Sequence, residues 1–178
     1  NLIGHWKLDE TSGTTAFDSS GAGRDGTMIG GLSGSDSVTG IIDDALDFDG
    51  TNDMIVLPDM LPDGQTEITA SVWIYTDGFN PVDFEDIFWQ SRTTTSDISW
   101  GIYHSHTVNE TRFQIRNSSN VTSRADFPDS MLAVNTWNHI AGTYDGSNII
   151  IYLNGIAIET VAFSGTLMNS TMNTGIGN

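Results

Sequence analysis

Short apolar runs, many alternating with polar positions, follow one another along the chain, and clusters of Gly, Asn, Asp and Ser separate them. No segment sustains an apolar period near 3.6, so amphipathic helices are not expected. Period-two runs punctuated by turn residues predict an all-β chain. The strands expected are 2–8, 45–48, 53–57, 67–76, 86–91, 98–104, 111–116, 137–144, 148–153 and 156–163. Asn154–Gly155 between IIIYL and IAIETVAF is the sharpest signal, because a type I′ hairpin turn needs positive φ at both central residues. With YDGSN at 144–148 as a second turn, 137–163 is predicted as a three-stranded meander. Alternation in ETRFQIRN turns Phe113 and Ile115 inward and sets Arg112, Gln114 and Arg116 on the other face. Residues 9–44 contain eight Gly and no clean strand beyond 27–29. A loop of that length in a compact domain needs something to hold it. No linker-like break occurs, so 1–178 is expected to be a single domain, a two-sheet antiparallel β-sandwich or jelly roll.

Charge changes the list of partners. The 178 residues carry 23 Asp and Glu against 6 Lys and Arg, a formal net charge of −17. Nucleic acid is excluded as a partner, since phosphate binding needs a basic footprint. No apolar run approaches the ~18 residues of a membrane-spanning helix, so membrane insertion is not expected. The acid is mostly Asp, 18 against 5 Glu. Asp favours turns and caps, and Asp-rich loops are the raw material of calcium sites. Cysteine is absent, which removes disulfides, thiolate metal sites and Cys nucleophiles. Four Asn-x-Ser/Thr sequons fall at Asn109, Asn117, Asn120 and Asn169. Three of them lie between 109 and 122, which points to a secreted or cell-surface glycoprotein. The chain begins at Asn1 without a Met and reads as a processed or excised piece.

Four segments together resemble the laminin-G-like, concanavalin-A-like jelly-roll domains. They are GHWKLDETSGTTAFDSSGAGRDGTMIGG, ALDFDGTNDMIVLP, ITASVWIY and TWNHIAGTYDGSNIIIYLNGIAI. They occur in the family's order and span most of the chain. The resemblance implies a calcium ion between two loops, one carrying Asp18 and Asp25 and the other Asp49 and Asp53. Trp73, Trp89, Trp100, Tyr103 and Trp137 offer flat apolar faces on which sugars can stack, but the resemblance places Trp73 and Trp137 in core strands, where packing is expected of them. One departure stands out: the family's last strand, expected beyond Gly177–Asn178, is missing. The edge near 2–8 would then present unpaired backbone groups, and three explanations stay open: a truncated chain, a different boundary, or a strand supplied by a neighbouring copy.

Other constellations are thinner. Asp83 and Glu85 share a parity, but the next same-face position is Ile87, so the paired carboxylates of a glycosidase strand are not sustained. His104 and His106 share a parity without a third metal ligand nearby in sequence. Gly21-x-Gly23-x-x-Gly26 follows no βαβ strand and fails as a dinucleotide fingerprint. Arg112 and Arg116 are notable in a chain with so few cations, and with Gln114 they form a candidate ligand-binding face. Gln90 and Arg92, of like parity, are expected to join it if their strand is adjacent. Guanidinium groups on such a face can hold a carboxylate by bidentate pairing.

The sequence therefore predicts a non-catalytic, calcium-stabilised, extracellular recognition or adhesion module. Its expected partner is a glycan or another surface protein. A glycosylated subunit of a surface filament, or an accessory module of a polysaccharide-degrading enzyme, are the alternatives.

Overall fold

In a computed structural model, which describes residues 2–61, 64–79, 85–91, 98–168, 170, 172 and 174–177, every regular element is a β-strand or a single 3-10 turn. Among the described residues, every strand pairing with a register is antiparallel. The fold class is the expected one, an all-β jelly roll. The chain divides into two compact units, Asn1–Met60 with Asn173–Asn178, and Leu61–Met172.

The first unit pairs β1 (Thr15–Ala16), β2 (Gly26–Ile29), β5 (Met54–Leu57) and β14 (Thr174–Ile176) in that order. A short ribbon joins β3 (Ser37–Thr39) to β4 (Asp44–Leu46). Ile55, Leu57 and Ala16 are fully buried here. The segment 2–8 is not a strand. Trp6 makes one isolated bridge to Asp18, donates from Nε1 to the Arg24 carbonyl at 2.9 Å, and Arg24 Nη1 donates to the Ile3 carbonyl at 2.7 Å. The 2–8 strand edge from which exchange was expected therefore does not exist in the described structure. A specific tie of side chain to backbone displaces the ladder at these positions.

The second unit is built from β6 (Ile68–Thr76), β7 (Glu85–Ser91), β8 (Ile98–Ser105), β9 (Glu110–Arg116), β10 (Thr122–Pro128), β11 (Thr136–Tyr144), β12 (Asn148–Leu153) and β13 (Ile156–Ala162). These form two four-stranded sheets, β7-β8-β9-β10 and β13-β12-β11-β6. The meander of 137–163 is present, and Asn154 (φ 50) and Gly155 (φ 80) make its predicted turn. Strand β10 was not expected.

The two sheets of this unit face one another across a shared core. Ile102, Phe113, Ile115, Ala125 and Phe127 fill it from one side, and Ile140, Ile149 and Ile151 from the other. Gly142 sets the separation: a Cβ there would lie 2.1 Å from the Phe113 ring. Burial of these side chains is worth roughly 1.5–3 kcal/mol each by area transfer. Each sheet also has a second face pointing away from this core, and those two faces are chemically unlike.

Candidate functional site

The outward face of β7-β8-β9-β10 carries one polar row across all four strands. Register pairs Asp86 with Tyr103, Tyr103 with Arg112 and Arg112 with Asp126. The adjacent row is Trp89, Gly101, Gln114 and Arg124. Side chains alternate strictly along a strand, so the same register that buries Ile102 and Phe113 turns Tyr103, Arg112 and Gln114 outward.

The floor of this face is recessed. Tyr103, Arg112 and Gln114 are only 6%, 8% and 9% exposed although they point away from the core. Asp86, Trp89 and Asp126 are half-buried around them, and Arg124 is exposed. Gly101 lacks a side chain between Trp89 and Gln114, and a Cβ there would come within 2.8 Å of the Trp89 Cβ.

Hydrogen bonds fix the floor. Tyr103 Oη donates to Gln114 Oε1 at 3.0 Å, and Gln114 Nε2 donates to the Ile98 carbonyl at 3.2 Å. Arg116 Nε donates to that same carbonyl at 3.2 Å and its Nη1 to Asn120 Oδ1 at 3.1 Å. Arg112 Nη2 donates to Glu110 Oε2 at 2.9 Å. Its Nε is buried with no hydrogen-bond acceptor among the described residues, a costly state for a charged donor. Asp126 Oδ2 lies 3.5 Å from Arg124 Nε, and the Asp126 amide donates to Glu159 Oε2 at 2.7 Å.

Burial raises the acids of this face. It pushes the Asp86 carboxyl from its ordinary 3.8 up to about 6. Asp126 is raised, first by burial and then by the charges of Glu110 and Glu159, with Arg112 and Arg124 opposing. Burial also raises the Tyr103 phenol, against the pull of Arg112. Desolvation disfavours the ionised form in each case.

The ligand residues expected from sequence divide here. Arg112, Gln114 and Arg116 do share a face. Gln90 does not join it. A register shift between Asp86 and Phe88 sends Phe88 and Gln90 to the core side and Asp86 and Trp89 outward. Gln90 is 1% exposed, accepts from Trp100 Nε1 at 2.9 Å and donates to the Met172 carbonyl at 3.2 Å. Arg92 and Asp83 lie outside the described residues. Asp86, Arg124 and Asp126 were missed by sequence reasoning, whereas Trp89 and Tyr103 were among its candidate sugar-stacking aromatics. The bulge after Asp86 reversed the parity expected of Trp89, and β10 was not recognised as a strand.

The acidic loops of the first unit act as turn anchors. Asp18 accepts four bonds: from the His5 and Ser20 amides on Oδ1, and from Ser20 Oγ and the Arg24 amide on Oδ2. Desolvation pushes its carboxyl up, and the four donors together outweigh it and hold the pKa far below the ordinary value. A carboxylate offers about four lone-pair sites, so Asp18 as arranged has none left for a cation. Asp25 Oδ1 takes the Asp18 amide. Asp49 Oδ1 takes the Thr51 and Asn52 amides, and Asp53 Oδ2 takes the Asp49 amide. No group of three or more His, Asp or Glu among the described residues is placed to hold a metal ion. The arrangement thus does not fit the calcium site that the resemblance implied.

His104 is buried on the core side, stacked on Phe79 at 4.2 Å, with Nδ1 3.0 Å from Asp129 Oδ2. The sequons differ in availability. Asn109 is exposed in the β8–β9 turn with φ 54. Asn120 is exposed and accepts from Arg116. The Asn117 amide donates to the Ser164 carbonyl at 3.1 Å, and its oxygen takes the Ser119 and Val121 amides. Asn169 lies outside the described residues.

The antiparallel jelly roll places the protein in the class of two-sheet β-sandwiches. The family model of the concanavalin A-like lectin/glucanases superfamily matches residues 49–178. The chain belongs to that superfamily.

Solved structures agree on the fold. The chain is similar to domain 4 of AbnA, an extracellular arabinanase of Geobacillus stearothermophilus in complex with arabinotriose. Identity is 17% and TM-score 0.70, over 99% of this chain and 82% of that one. It is also similar to the binding domain of Paraclostridial Mosquitocidal Protein 1, at 14% identity and TM-score 0.69. The binding domain of botulinum neurotoxin DC in complex with SialylT gives 16% and 0.65. The chain covers 96% and 94% of itself in these two matches but only 45% and 43% of the toxin domains. Searched against curated proteins, the sequence gives no significant match. Among the described residues no helix is long and apolar enough to cross a membrane.

Proposed function

We propose that the protein is a non-catalytic glycan-binding module of an extracellular protein, and that it binds sugar on the outward face of β7-β8-β9-β10. The observation that carries this reading is the row Asp86–Tyr103–Arg112–Asp126 beside Trp89 and Gln114. Sugars present neighbouring hydroxyls and flat apolar ring faces. Carboxylates and guanidinium groups take such hydroxyl pairs in bidentate fashion, and an indole gives a surface for the ring. A few fixed polar groups beside an aromatic side chain are what orients a small ligand in a concave site.

The floor is preorganised. Tyr103, Gln114 and Arg116 are already held through the Ile98 carbonyl, so little side-chain entropy is left to lose on binding. Superfamily membership and the sugar complexes of similar structures support the ligand class. Mixed charge on the face favours a hydroxyl-rich sugar over the carboxylate-bearing glycan expected from Arg112 and Arg116 alone, because Glu110 already takes Arg112.

The test is a glycan microarray followed by calorimetric titration of the strongest binder. Asp86→Asn and Trp89→Ala are each expected to weaken binding at least tenfold. Unchanged affinity in both variants would remove this face from the account.

A further inference from the structure

The second outward face, on β13-β12-β11-β6, has no counterpart to this polar row. Register sets Tyr75 opposite Trp137, and Trp73 opposite His139. Tyr75 and Trp137 meet edge to face at 5.7 Å, and Trp73 and His139 meet at 5.0 Å. Trp73 is 46% exposed and Tyr75 54%. One row further, Ser71 lies opposite Ala141, and Ala141 opposite Tyr152.

Charge is missing from this face. Along β6, β11 and β12 every outward position is aromatic, imidazole, Thr, Ser, Ala, Ile or Asn. On β13 the same holds for Ala157 and Thr160, the partners of Tyr152 and Ile150. The protein carries 23 acidic residues, so a sheet face this wide without one is a departure from its own surface. Exposed aromatic patches of this kind mark contact sites.

We infer that this face is a second glycan-binding surface, a platform on which an uncharged polysaccharide chain stacks through Trp73 and Tyr75. The inference rests on the glycan-binding reading above but uses none of its residues. The choice of occupant follows from charge. A face without cations has nothing to hold an anionic glycan or lipid headgroup, and the net charge of −17 repels both. The same charge opposes a second copy of this chain. A cationic partner would find its complement on the acidic surface elsewhere. A neutral chain of sugar rings loses nothing to that field and gains ring contact. The rings are held by cross-strand packing, and the β12–β13 turn is tied in by the His139 amide donating to Asn154 Oδ1 at 2.8 Å. The platform therefore binds without ordering itself first.

The experiment is native affinity electrophoresis in gels containing arabinan, xylan or mixed-linkage β-glucan, with polygalacturonate as the anionic control. The native protein is expected to be retarded by at least one neutral polymer and not by polygalacturonate. Trp73→Ala/Tyr75→Ala is expected to weaken that retardation at least tenfold. Ser71→Asp, which removes no ring and places a charge on the face, is expected to do the same. Thermal unfolding of each variant checks that it folds. Native-like retardation of both variants, with loss in Asp86→Asn, overturns the platform and leaves the polar face standing. No retardation or array binding of any kind overturns both. Dimerisation of the native protein, abolished in Trp73→Ala/Tyr75→Ala, would make a second copy the occupant and overturn the inference.

Discussion

The two outward faces of the second unit are made of equivalent elements, four antiparallel strands each, and they spend their side chains differently. On β7-β10 the outward residues are recessed and several are bound to each other, so replacing one changes stability, upward or downward. On β6-β13 they are exposed, uncharged and held mainly by ring packing, so their removal costs little but contact area. Binding and stability are thus coupled on the first face and separable on the second. Exposure decides this: a group already desolvated in the folded protein contributes to both, whereas one in water contributes only when a ligand covers it.

Disturbing the core that both faces share is expected to have the largest effect. Gly142→Ala places a Cβ 2.1 Å from the Phe113 ring, and overpacking of this kind costs roughly 1–3 kcal/mol or more. Urea unfolding is expected to show that loss, and binding on both faces is expected to fall together.

Asp86→Asn separates the faces. The Asp86 carboxyl is raised from 3.8 to about 6, so the folded state holds its proton more tightly than the unfolded state. Stability from this group is therefore present below about pH 4 and lost as pH rises to about 6. The variant is expected to be more stable than the native protein at pH 7, by on the order of 1–3 kcal/mol, and to lack that part of the pH dependence. It should still lose sugar affinity on the polar face. Equal stability of variant and native protein across pH 4–7 would contradict the burial assigned to Asp86.

Tyr103→Phe removes the bond to Gln114 and should cost about 1 kcal/mol with a moderate loss of affinity. Trp73→Ala, at an exposed position, is expected to change stability by only about 0.5 kcal/mol. The smallest effect is reserved for calcium. An ion at a hundredfold its dissociation constant would add about 2.7 kcal/mol. With Asp18 saturated by four donors, calcium or a chelator is expected to leave the melting temperature unchanged within a degree or so. A larger rise with calcium would restore the metal site between the Asp loops.

The sequence carried the fold further than the site. Alternation and the Asn154–Gly155 turn placed β11, β12 and β13 almost to the residue, because period and turn chemistry agree there. Strand β10 escaped because Arg124, Asp126 and Pro128 dilute its β-formers; only Ala125 and Phe127 mark the inward parity. Grouping Arg112, Gln114 and Arg116 on one face was sound, since β9 has no irregularity. Gln90 went astray because the shift after Asp86 reverses the parity of the rest of β7, and one extra residue flips every side chain that follows. Trp73 was expected in the core for its size and its place in the family pattern. In ITASVWIY it shares parity with Ser71 and Tyr75, whereas Ala70, Val72 and Ile74 point inward. That alternation was the signal for an exposed aromatic face.

Amide NMR titration with the strongest array-selected oligosaccharide tests the central claim most directly. The largest shifts are expected on Gly101, Tyr103, Arg112 and Gln114. Shifts confined to loops of the first unit, or no shift at any sugar concentration, would contradict it.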